Sequence, residues 1–455
     1  MSDGRDDIGK VSDLEQVGDA WNFSLFDAIM QRRSRRFGLG MEIDEGPNKF
    51  KSTNDPVPLD EVEEALLIAA GTGMSGLNLG DLPWKARPEK QEDLATFCGE
   101  GNTLVEYVGR TWPSACAAHG TELFYTNDEG VYLLQLREAQ PEKMQEYVGK
   151  DDRDKLVQFV RDHRIKIFDG RLDIPRNTGA ISAFNLWNMN KPGTTLFMPV
   201  SDLTEEYINL VMLQADFGHY MVDDRNGNRP CCDEKWIREG WVDTPVPLSM
   251  AEMGMMCTIA GAEGAFIGHN ITLAMQAMGL GGWLFGGATS FVVMGGTPTG
   301  NGLGFRFEAS PKNPRAFSVP VGVDGGFQSY RPPYFKDMDA AVDAIVERKF
   351  GKGGTFNPFS EKPAPFKNRP DFLRQIPRTP EKTIQICKET CRYIWNTYGT
   401  FPAWVPPMAL HYYIQAQHIE LEFYDKYYPA GAYLSTHKNH MDKWHKKGAT
   451  ARKAA

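Results

Sequence analysis

The sequence predicts a protein of the α+β class. Helical and strand-like segments are mixed along the chain without the regular strand–helix–strand order of a parallel sheet. The 455 residues are 41% hydrophobic and 24% charged, which is typical of a folded chain with a large core. No run of apolar residues is long enough to span a membrane. We therefore expect a mixed or antiparallel sheet flanked by helices, and no membrane partner.

Charge and cysteine content narrow the functional classes. The 50 Lys and Arg residues against 59 Asp and Glu residues give a net charge of −9, which argues against a nucleic-acid partner. The 7 cysteines, without a C-x-x-C motif, predict neither a disulfide framework nor a Cys₄ zinc site. The start of the chain is acidic and polar, unlike a secretory signal, so we expect a cytoplasmic protein.

Two capping patterns and one long apolar stretch predict the principal helices. Asp60 and Glu63 form a capping box before a buried helical stripe. Ser249 and Glu252 repeat that pattern. Residues 253–278 are then apolar on nearly all sides, which predicts a long buried central helix.

Short segments rich in β-branched and aromatic residues predict the strands. They are 121–126, 131–136, 194–200, 290–294 and 317–323. Prolines mark two more predicted helices, at 379–397 and from about 406 to 428, which make up a helical C-terminal extension.

These elements divide the chain into five segments by composition. They are an acidic tail at 1–20, a main domain at 21–350, a linker rich in proline and glycine at 351–381, the helical extension at 382–436 and a basic tail at 437–455.

Residues 32–37, Arg-Arg-Ser-Arg-Arg-Phe, are the first candidate binding segment. They follow a short predicted helix whose Phe26 and Ile29 are expected to face inward. Arginines crowded beside a hydroxyl are typical of a phosphate site, because each guanidinium presents a rigid fork of donors. A solvated basic turn is the alternative, and this segment alone does not decide between the two.

Residues 71–76 match the pattern G-x-G-x-x-G but do not predict a dinucleotide site. That motif follows a strand and opens a helix, whereas here a capped helix precedes it and no helix follows. The segment better fits an irregular loop that presents Ser75, Asn78 and backbone amides to a flat polar ligand.

Three motifs stand in a fixed order along the chain. They are F-D-A-I-x-x-R-R-S-x-R-F, then A-A-x-x-x-M-S-G-x-N followed by P-W, and later H-N-I-T-L-A-M-Q-A-M-G-L-G-G-W. This ordered set resembles the nitroreductase superfamily of flavoenzymes over residues 21–84 and roughly 250–350. The resemblance implies an FMN-binding homodimer with the flavin at the subunit interface. Residues 85–250 would then contain a large insertion, which forms either a lid or substrate pocket, or a cover over an exposed face.

The resemblance also implies a cofactor site. Residues of the arginine segment and one late arginine would hold the FMN phosphate, and the other residues would line or approach the flavin ring. They are Arg32, Arg33 and Ser34, with Arg331, for the phosphate, and Met74, Ser75, Gly76, Asn78, Trp283, Leu284, Phe285 and Gly286 for the ring. Arg36 is a further cofactor-binding candidate of the arginine segment. Met74 stands where the family often has proline.

The function implied is NAD(P)H-dependent reduction of an electron-poor small organic molecule by a ping-pong hydride mechanism. FMN would carry the hydride chemistry, and the protein would bind and orient it. No catalytic acid or base is assigned. Two alternatives stay open: a flavin-dependent dehydrogenase or oxidase of a biosynthetic intermediate, and a non-enzymatic FMN-binding protein.

Histidines near the end of the chain have a spacing that metal sites also show. His437, His440 and His445 lie close together, but in a basic segment with no carboxylate or thiol cluster nearby. We therefore predict no metal site. His411 and His418 are expected on one face of the last predicted helix, as core or interface residues.

Overall fold

The structure is a computed structural model that describes residues 15–88, 105–137, 139, 154–298, 300–310, 312 and 318–445. Most of the predicted acidic tail and the last ten residues of the basic tail lie outside the described residues. Among those described, no helix combines the length and the apolar content that crossing a membrane requires.

Strands and helices are both distributed over the whole described chain. The strands are β1 (Glu42–Ile43), β2 (Phe50–Lys51), β3 (Met74–Leu77), β4 (Val108–Arg110), β5 (Thr121–Thr126), β6 (Gly130–Leu134), β7 (Arg164–Asp169), β8 (Thr195–Asp202), β9 (His219–Asp223), β10 (Arg229–Pro230), β11 (Thr244–Pro247), β12 (Gly281–Phe285), β13 (Arg306–Glu308), β14 (Val319–Val323), β15 (Phe327–Gln328), β16 (Met408–Leu410) and β17 (Tyr413–Gln417). The helices are α1 (Glu15–Trp21), α2 (Leu25–Met30), α3 (Glu61–Thr72), α4 (Asp154–His163), α5 (Thr204–Asp216), α6 (Lys235–Arg238), α7 (Leu248–Met255), a π-helical segment (Met256–Glu263), α8 (Gly264–Met278), α9 (Ser290–Met294), α10 (Met338–Phe350), α11 (Arg369–Leu373), α12 (Glu381–Tyr398), α13 (Leu421–Tyr427) and α14 (Ser435–Trp444).

A seven-stranded sheet forms the centre of the molecule. Its strand order is β12–β17–β8–β5–β6–β7, and β16 also pairs with β8. All of these pairs are antiparallel. The predicted α+β class is therefore confirmed, with sheets that are mainly antiparallel.

Both faces of the central sheet are buried, by different elements. On one face Leu123 and Tyr125 pack with residues of α3 and α8. On the other face Phe124 and Leu133 pack with Val293 of α9 and with residues near β15. Successive strand residues point to opposite faces of the sheet. Because both faces are covered, every residue of β5 and β6 is buried.

Residues 85–250 supply β5, β6, β7 and β8, which are the middle and one edge of the central sheet. The segment predicted as a helix from about residue 406 to 428 contributes β16 and β17, so that prediction was wrong except at its end, which forms α13. Residues 414–417 do alternate apolar and polar side chains, but the run is only four residues long, and β17 is buried at all five positions. Residues 290–294, predicted as a strand, form α9, since a short apolar run does not distinguish the two structures.

Helix α3 begins with the predicted capping box, in which Asp60 Oδ1 accepts from the Glu63 N–H at 2.8 Å and Glu63 Oε2 accepts from the Asp60 N–H at 2.7 Å. The long central helix is present as α7, the π-helical segment and α8, and it ends at Gly279 with a φ of 80°. Its predicted capping box is absent, because the Ser249 N–H and hydroxyl both donate to the Asp224 carboxylate.

The C-terminal half of the chain packs into the rest of the molecule. Phe356 and Leu373, from the segment at 351–381, join a hydrophobic cluster with Tyr107. Helix α12 packs against α5 and α10 through residues that include Ile384 and Ile394. The extension is therefore a mixture of helices and sheet strands that shares the core of the main domain.

Candidate functional site

The arginine segment, residues 32–36, runs along the edge of the central sheet. Arg35 exchanges two backbone hydrogen bonds with Gly282 of the edge strand β12, at N–O distances of 3.2 and 2.8 Å. The extended backbone turns Arg35 and Phe37 inward and leaves the side chain of Arg36 exposed. The segment is thus a structured part of the sheet edge, in which Arg35 is buried and Arg32, Arg33 and Arg36 are exposed.

The glycines after α8 make this approach possible. A Cβ on Gly281 would overlap Ile419 and the backbone oxygen of Arg35. A Cβ on Gly282, whose φ is 151°, would overlap the backbone oxygen of Gln415. The G-L-G-G-W motif therefore has a packing role where β12 meets the arginine segment and residues 415–419.

Arg35 holds the segment in place. Its Nε donates to the Ala432 carbonyl at 2.8 Å, and its Nη1 donates to Gln276 Oε1 of α8 at 2.6 Å. Burial lowers the pKa of Arg35 to about 10, so the guanidinium stays charged at neutral pH. This residue orients its neighbours, and its own donors point into the protein.

The exposed neighbours Arg33, Ser34 and Arg36 line a cavity of about 430 Å³, which we call the arginine cavity. The guanidinium of Arg36 lies 5.8 Å from the centre of the Trp187 ring. Within the described ranges, Arg32, Arg33 and Arg36 form no ion pair with a carboxylate. The aromatic residues that complete the lining are Phe37, Trp187, Phe423, Tyr424 and Tyr428.

This combination suits an anionic ligand with a planar part. Guanidinium groups and a hydroxyl donate to phosphate oxygens, and they are not neutralised by the protein itself. Aromatic rings offer stacking surface. The volume lies in the range of small-molecule sites.

Met74–Leu77, predicted within an irregular loop, forms strand β3, paired with β4. Ser75 Oγ and Asn78 Nδ2 donate to carbonyl oxygens of β4 at 3.0 and 3.2 Å. Gly76 adopts a φ of 109°. Met74 lines a second cavity, of about 440 Å³, which is mainly apolar and lies between α1, α3, α4 and α8. Ser75 and Asn78, which were predicted to line the flavin ring, thus use their side chains for hydrogen bonds between these two strands.

The third predicted group, Trp283–Gly286, lies on β12 and just after it. Trp283 is buried and stacks on Phe285, with 4.6 Å between the ring centroids. Leu284 and Phe285 are half-buried, and Gly286 is exposed at the end of the strand. Among the described residues, neither this group nor β3 contributes to the lining of the arginine cavity.

Arg331, predicted as a late phosphate ligand, is buried in a different place. Its guanidinium donates to Thr400 Oγ1 at 3.2 Å and to Glu308 Oε2 at 3.3 Å, and it lies 4.9 Å from the Trp395 ring. Burial lowers the pKa of Arg331 to about 10. In the described chain, no hydrogen bond links it to Arg32 or to the rest of the arginine segment.

A second cluster of polar side chains lies at the start of α3. It contains Glu63, His418, His440 and His445, and we call it the histidine cluster. Glu63 Oε1 lies 2.7 Å from His440 Nε2 and 3.4 Å from His445 Nε2, and Glu63 Oε2 lies 3.7 Å from His418 Nε2. Each side chain offers one potential ligand atom, and these atoms all lie within 4.8 Å of one another.

The electrostatics of the histidine cluster follow from its burial. Burial alone would raise the pKa of Glu63, but the neighbouring histidines outweigh it and hold that pKa well below its usual range. Burial lowers the pKa of His418 to about 4, so its imidazole is neutral at neutral pH. The pKa of His445 is raised, because its bond to Glu63 outweighs partial burial.

Sequence reasoning missed the histidine cluster because its members come from three distant segments. The spacing of His440 and His445 was the only signal, and the carboxylate that it lacked is supplied by Glu63. His418 follows strand β17 and does not share a helix face with His411. Residues up to 445 of the predicted basic tail belong to or adjoin α14, in which His437 and His440 are buried.

Comparison with known proteins yields little. No protein family profile matches the chain, and no curated protein is similar to it. A crystal structure of a candidate nitroreductase from Ralstonia eutropha JMP134 is similar to 59% of this chain and 72% of its own, with 11% sequence identity and a TM-score of 0.24. A likeness at that TM-score does not establish a shared fold or a shared function.

Proposed function

We propose that this protein is an FMN-dependent oxidoreductase of the nitroreductase type, which uses NAD(P)H to reduce an electron-poor small organic molecule. The observation that carries the proposal is the arginine cavity, where unneutralised guanidinium groups and a hydroxyl meet aromatic side chains. The resemblance of the three sequence motifs to the nitroreductase superfamily favours FMN among the phosphorylated planar ligands that such a cavity suits.

The phosphate end of FMN fits the residues present. A phosphate that carries nearly two negative charges needs several charge-assisted donors. Arg33, Arg36 and the Ser34 hydroxyl line the cavity, and the exposed Arg32 precedes them. Arg35 fixes the backbone between them by its hydrogen bonds to Ala432 and Gln276, so the donors are oriented before the ligand arrives.

The planar end would be held by stacking and by exclusion of water. Trp187 and Tyr424 supply aromatic surface within the cavity. When bound, FMN supplies the capacity to accept a hydride from a nicotinamide and to pass it to an acceptor. The protein's part is to orient the flavin and to keep bulk water from the reacting face.

A homodimer completes the proposal. Helix α2, directly before the arginine segment, exposes Phe26 (77%) and Ile29, although the sequence predicted both inward. Helices α7 and α8 expose Met250, Met253 and Phe266 to solvent. Exposed apolar groups of this size are typical of protein interfaces. An interface over α2 would adjoin the arginine cavity, which favours a flavin close to the subunit boundary.

The proposal is tested by the visible absorption spectrum of the purified protein, with or without added FMN, before and after anaerobic addition of NADH or NADPH. We expect a flavin spectrum that bleaches. Loss of charge-assisted donors costs about 1.5–3 kcal/mol each, so R33Q/R36Q should bind FMN at least roughly 100-fold more weakly. The control R238Q removes an exposed arginine of α6 and should bind FMN normally.

Two results would count against the proposal in different ways. A protein that takes up no FMN would remove the cofactor assignment. A flavin that binds, depends on Arg33 and Arg36, and does not bleach with NADH or NADPH would retain the cofactor and replace the reductase by a dehydrogenase, an oxidase or an FMN-binding protein.

A further inference from the structure

We propose that Glu63, His418, His440 and His445 bind a divalent transition metal ion of the zinc type, which fastens the C-terminal helix α14 to the core. Imidazole nitrogens and a carboxylate oxygen are the ligands that zinc prefers besides thiolates. Four protein ligands match a closed structural site. The inference goes beyond the proposed flavin chemistry and does not depend on it.

The tautomer of His440 is set by its surroundings. Its Nδ1 lies 2.6 Å from the Met278 carbonyl oxygen, which can only accept, so Nδ1 carries a proton. Nε2 of a neutral ring then has a lone pair, and this buried atom lies 2.7 Å from Glu63 Oε1 without a hydrogen-bond partner among the described residues. Two acceptors at this distance repel each other unless a further proton lies between them or a metal ion beside them binds both. A backbone carbonyl on the far nitrogen is the usual support of a metal-bound histidine.

His418 differs from His440, because the nitrogen that lies 3.7 Å from Glu63 Oε2, Nε2, is the one that carries the proton, and the other ring nitrogen is left as the potential ligand atom. Its Nε2 lies 3.3 Å from the Pro58 carbonyl oxygen, which again places the proton on that nitrogen. Its Nδ1 is buried and has no hydrogen-bond partner among the described residues. A buried ring nitrogen without a partner is costly, and a bound metal ion would satisfy it.

Glu63 is also held in an orientation that suits a ligand. Its Oε2 accepts from the Asp60 N–H in the capping box, which fixes the carboxylate and turns Oε1 toward His440 and His445. The carboxylate is fully buried, and a buried charge requires a counter-charge. The only basic side chains within ion-pair distance, in the described part of the chain, are the three histidines.

The placement in the chain indicates a structural role. The ligands come from the first turn of α3, from the residue after β17, and from α14 and its end. A metal ion would thus connect the beginning of the main domain to the end of the described chain. The His445 side chain is 20% exposed and provides a path for the ion to enter.

The test uses the full chain without a histidine tag, treated with a chelator and then incubated with zinc chloride. Zinc retained after gel filtration is measured by mass spectrometry, and a parallel sample is titrated with cobalt chloride and followed by visible absorption. We expect one zinc per chain and a cobalt spectrum typical of tetrahedral coordination. H440Q and H445Q should each weaken zinc binding by roughly 100-fold or more, since loss of a supporting residue alone costs 10–100-fold.

H437Q is the matched control. His437 is on the same helix and equally buried, but its ring bonds to the Leu280 carbonyl and the Leu434 N–H, away from Glu63. The variant H437Q should therefore keep its zinc, and it shows how much stability is lost when a buried histidine of α14 is replaced without loss of a ligand. H445Q changes a partly exposed residue at the end of α14, so it should fold even where H440Q does not, as circular dichroism would show. The inference would be overturned if H440Q/H445Q retained as much zinc as the unmodified chain, or if neither of these two proteins retained zinc. The cluster would then be a protonated histidine–glutamate network.

Discussion

Arg35 and Arg36 are adjacent in the sequence and have opposite surroundings. Arg35 is buried and donates to Ala432 and Gln276, whereas Arg36 faces the arginine cavity. Their difference comes from the alternation of an extended backbone at the edge of the sheet. At the residue scale, therefore, whether Arg35 or Arg36 is buried depends on the pairing of the segment with β12, which lies far along the chain.

Glu206 of α5 should make the stability of the protein depend on pH. Burial raises its pKa from an ordinary value near 4.5 to about 8, although Asn209 donates to it at 3.1 Å. The folded state holds the proton more tightly than the unfolded state. This contribution to stability is therefore complete below the ordinary pKa and is lost as the pH rises to about 8.

The variant E206Q removes this titration and keeps an acceptor for Asn209. We compare the free energy of unfolding of E206Q with that of the unmodified protein. We expect the difference in favour of E206Q to be about 1–3 kcal/mol larger at about pH 8.5 than at about pH 5, as thermal unfolding would show. E234Q, at the exposed glutamate directly before α6, serves as the control, and it should change the free energy of unfolding by the same amount at both pH values. Parallel pH profiles for E206Q and the unmodified protein would show that Glu206 does not carry the effect.

At the scale of elements, the central helix differs along its length in how closely it is packed. A Cβ on Gly268 of α8 would overlap the Leu284 side chain and lie 3.0 Å from Ile414 Cγ1. A Cβ on Gly254 of α7 would meet nothing within 4 Å. We expect G268A to cost about 1–3 kcal/mol by overpacking, and G254A to gain about 0.5–1 kcal/mol from the higher helix propensity of alanine.

Thermal unfolding of the two variants measures this contrast directly. Both substitutions add the same methyl group to the same long helix, so each is the control for the other. Equal midpoints would contradict the packing of α8 against β12 and β17, because that contact is the difference between the two positions.

The elements that the sequence predicted well are those with local signals. The capping box at Asp60 and Glu63 predicted the start of α3, since its two hydrogen bonds join residues three apart. The strand Tyr413–Gln417 was missed because its alternation of apolar and polar residues is short, whereas Pro406 and Pro429 indicated a single helix between them. The pairing of this strand with β8 and β12 joins residues far apart in the chain, so no local window contains it.

The same limit applies to the candidate sites. The arginine segment is visible in the sequence because its residues are consecutive, and the structure adds its aromatic lining from Trp187 and the region near residue 424. The histidine cluster was not visible, since Glu63 is brought to His418 and His440 only by the folded sheet and helices. A prediction from composition and spacing therefore finds compact motifs and misses sites assembled from distant segments.

At the scale of the whole molecule, the exposed apolar side chains of α2, α7 and α8 predict a dimer in solution. Met253 is 56% exposed, and Met250 lies one turn before it on the same helix. Replacing both by glutamate places two charges in an interface that should exclude water. We expect M250E/M253E to be monomeric at micromolar concentrations at which the unmodified chain is a dimer, as sedimentation velocity would show.

The control for that prediction is F359E, which also places a glutamate at a strongly exposed apolar side chain, but in the loop between α10 and α11. It should leave the dimer intact, because position 359 lies on neither α2 nor the central helix. The monomeric variant also tests where the flavin lies: if the ring end reaches the subunit boundary beside α2, M250E/M253E should release FMN more readily than F359E. A monomeric unmodified chain, or a dimer that survives M250E/M253E, would show that these apolar faces do not mediate self-association.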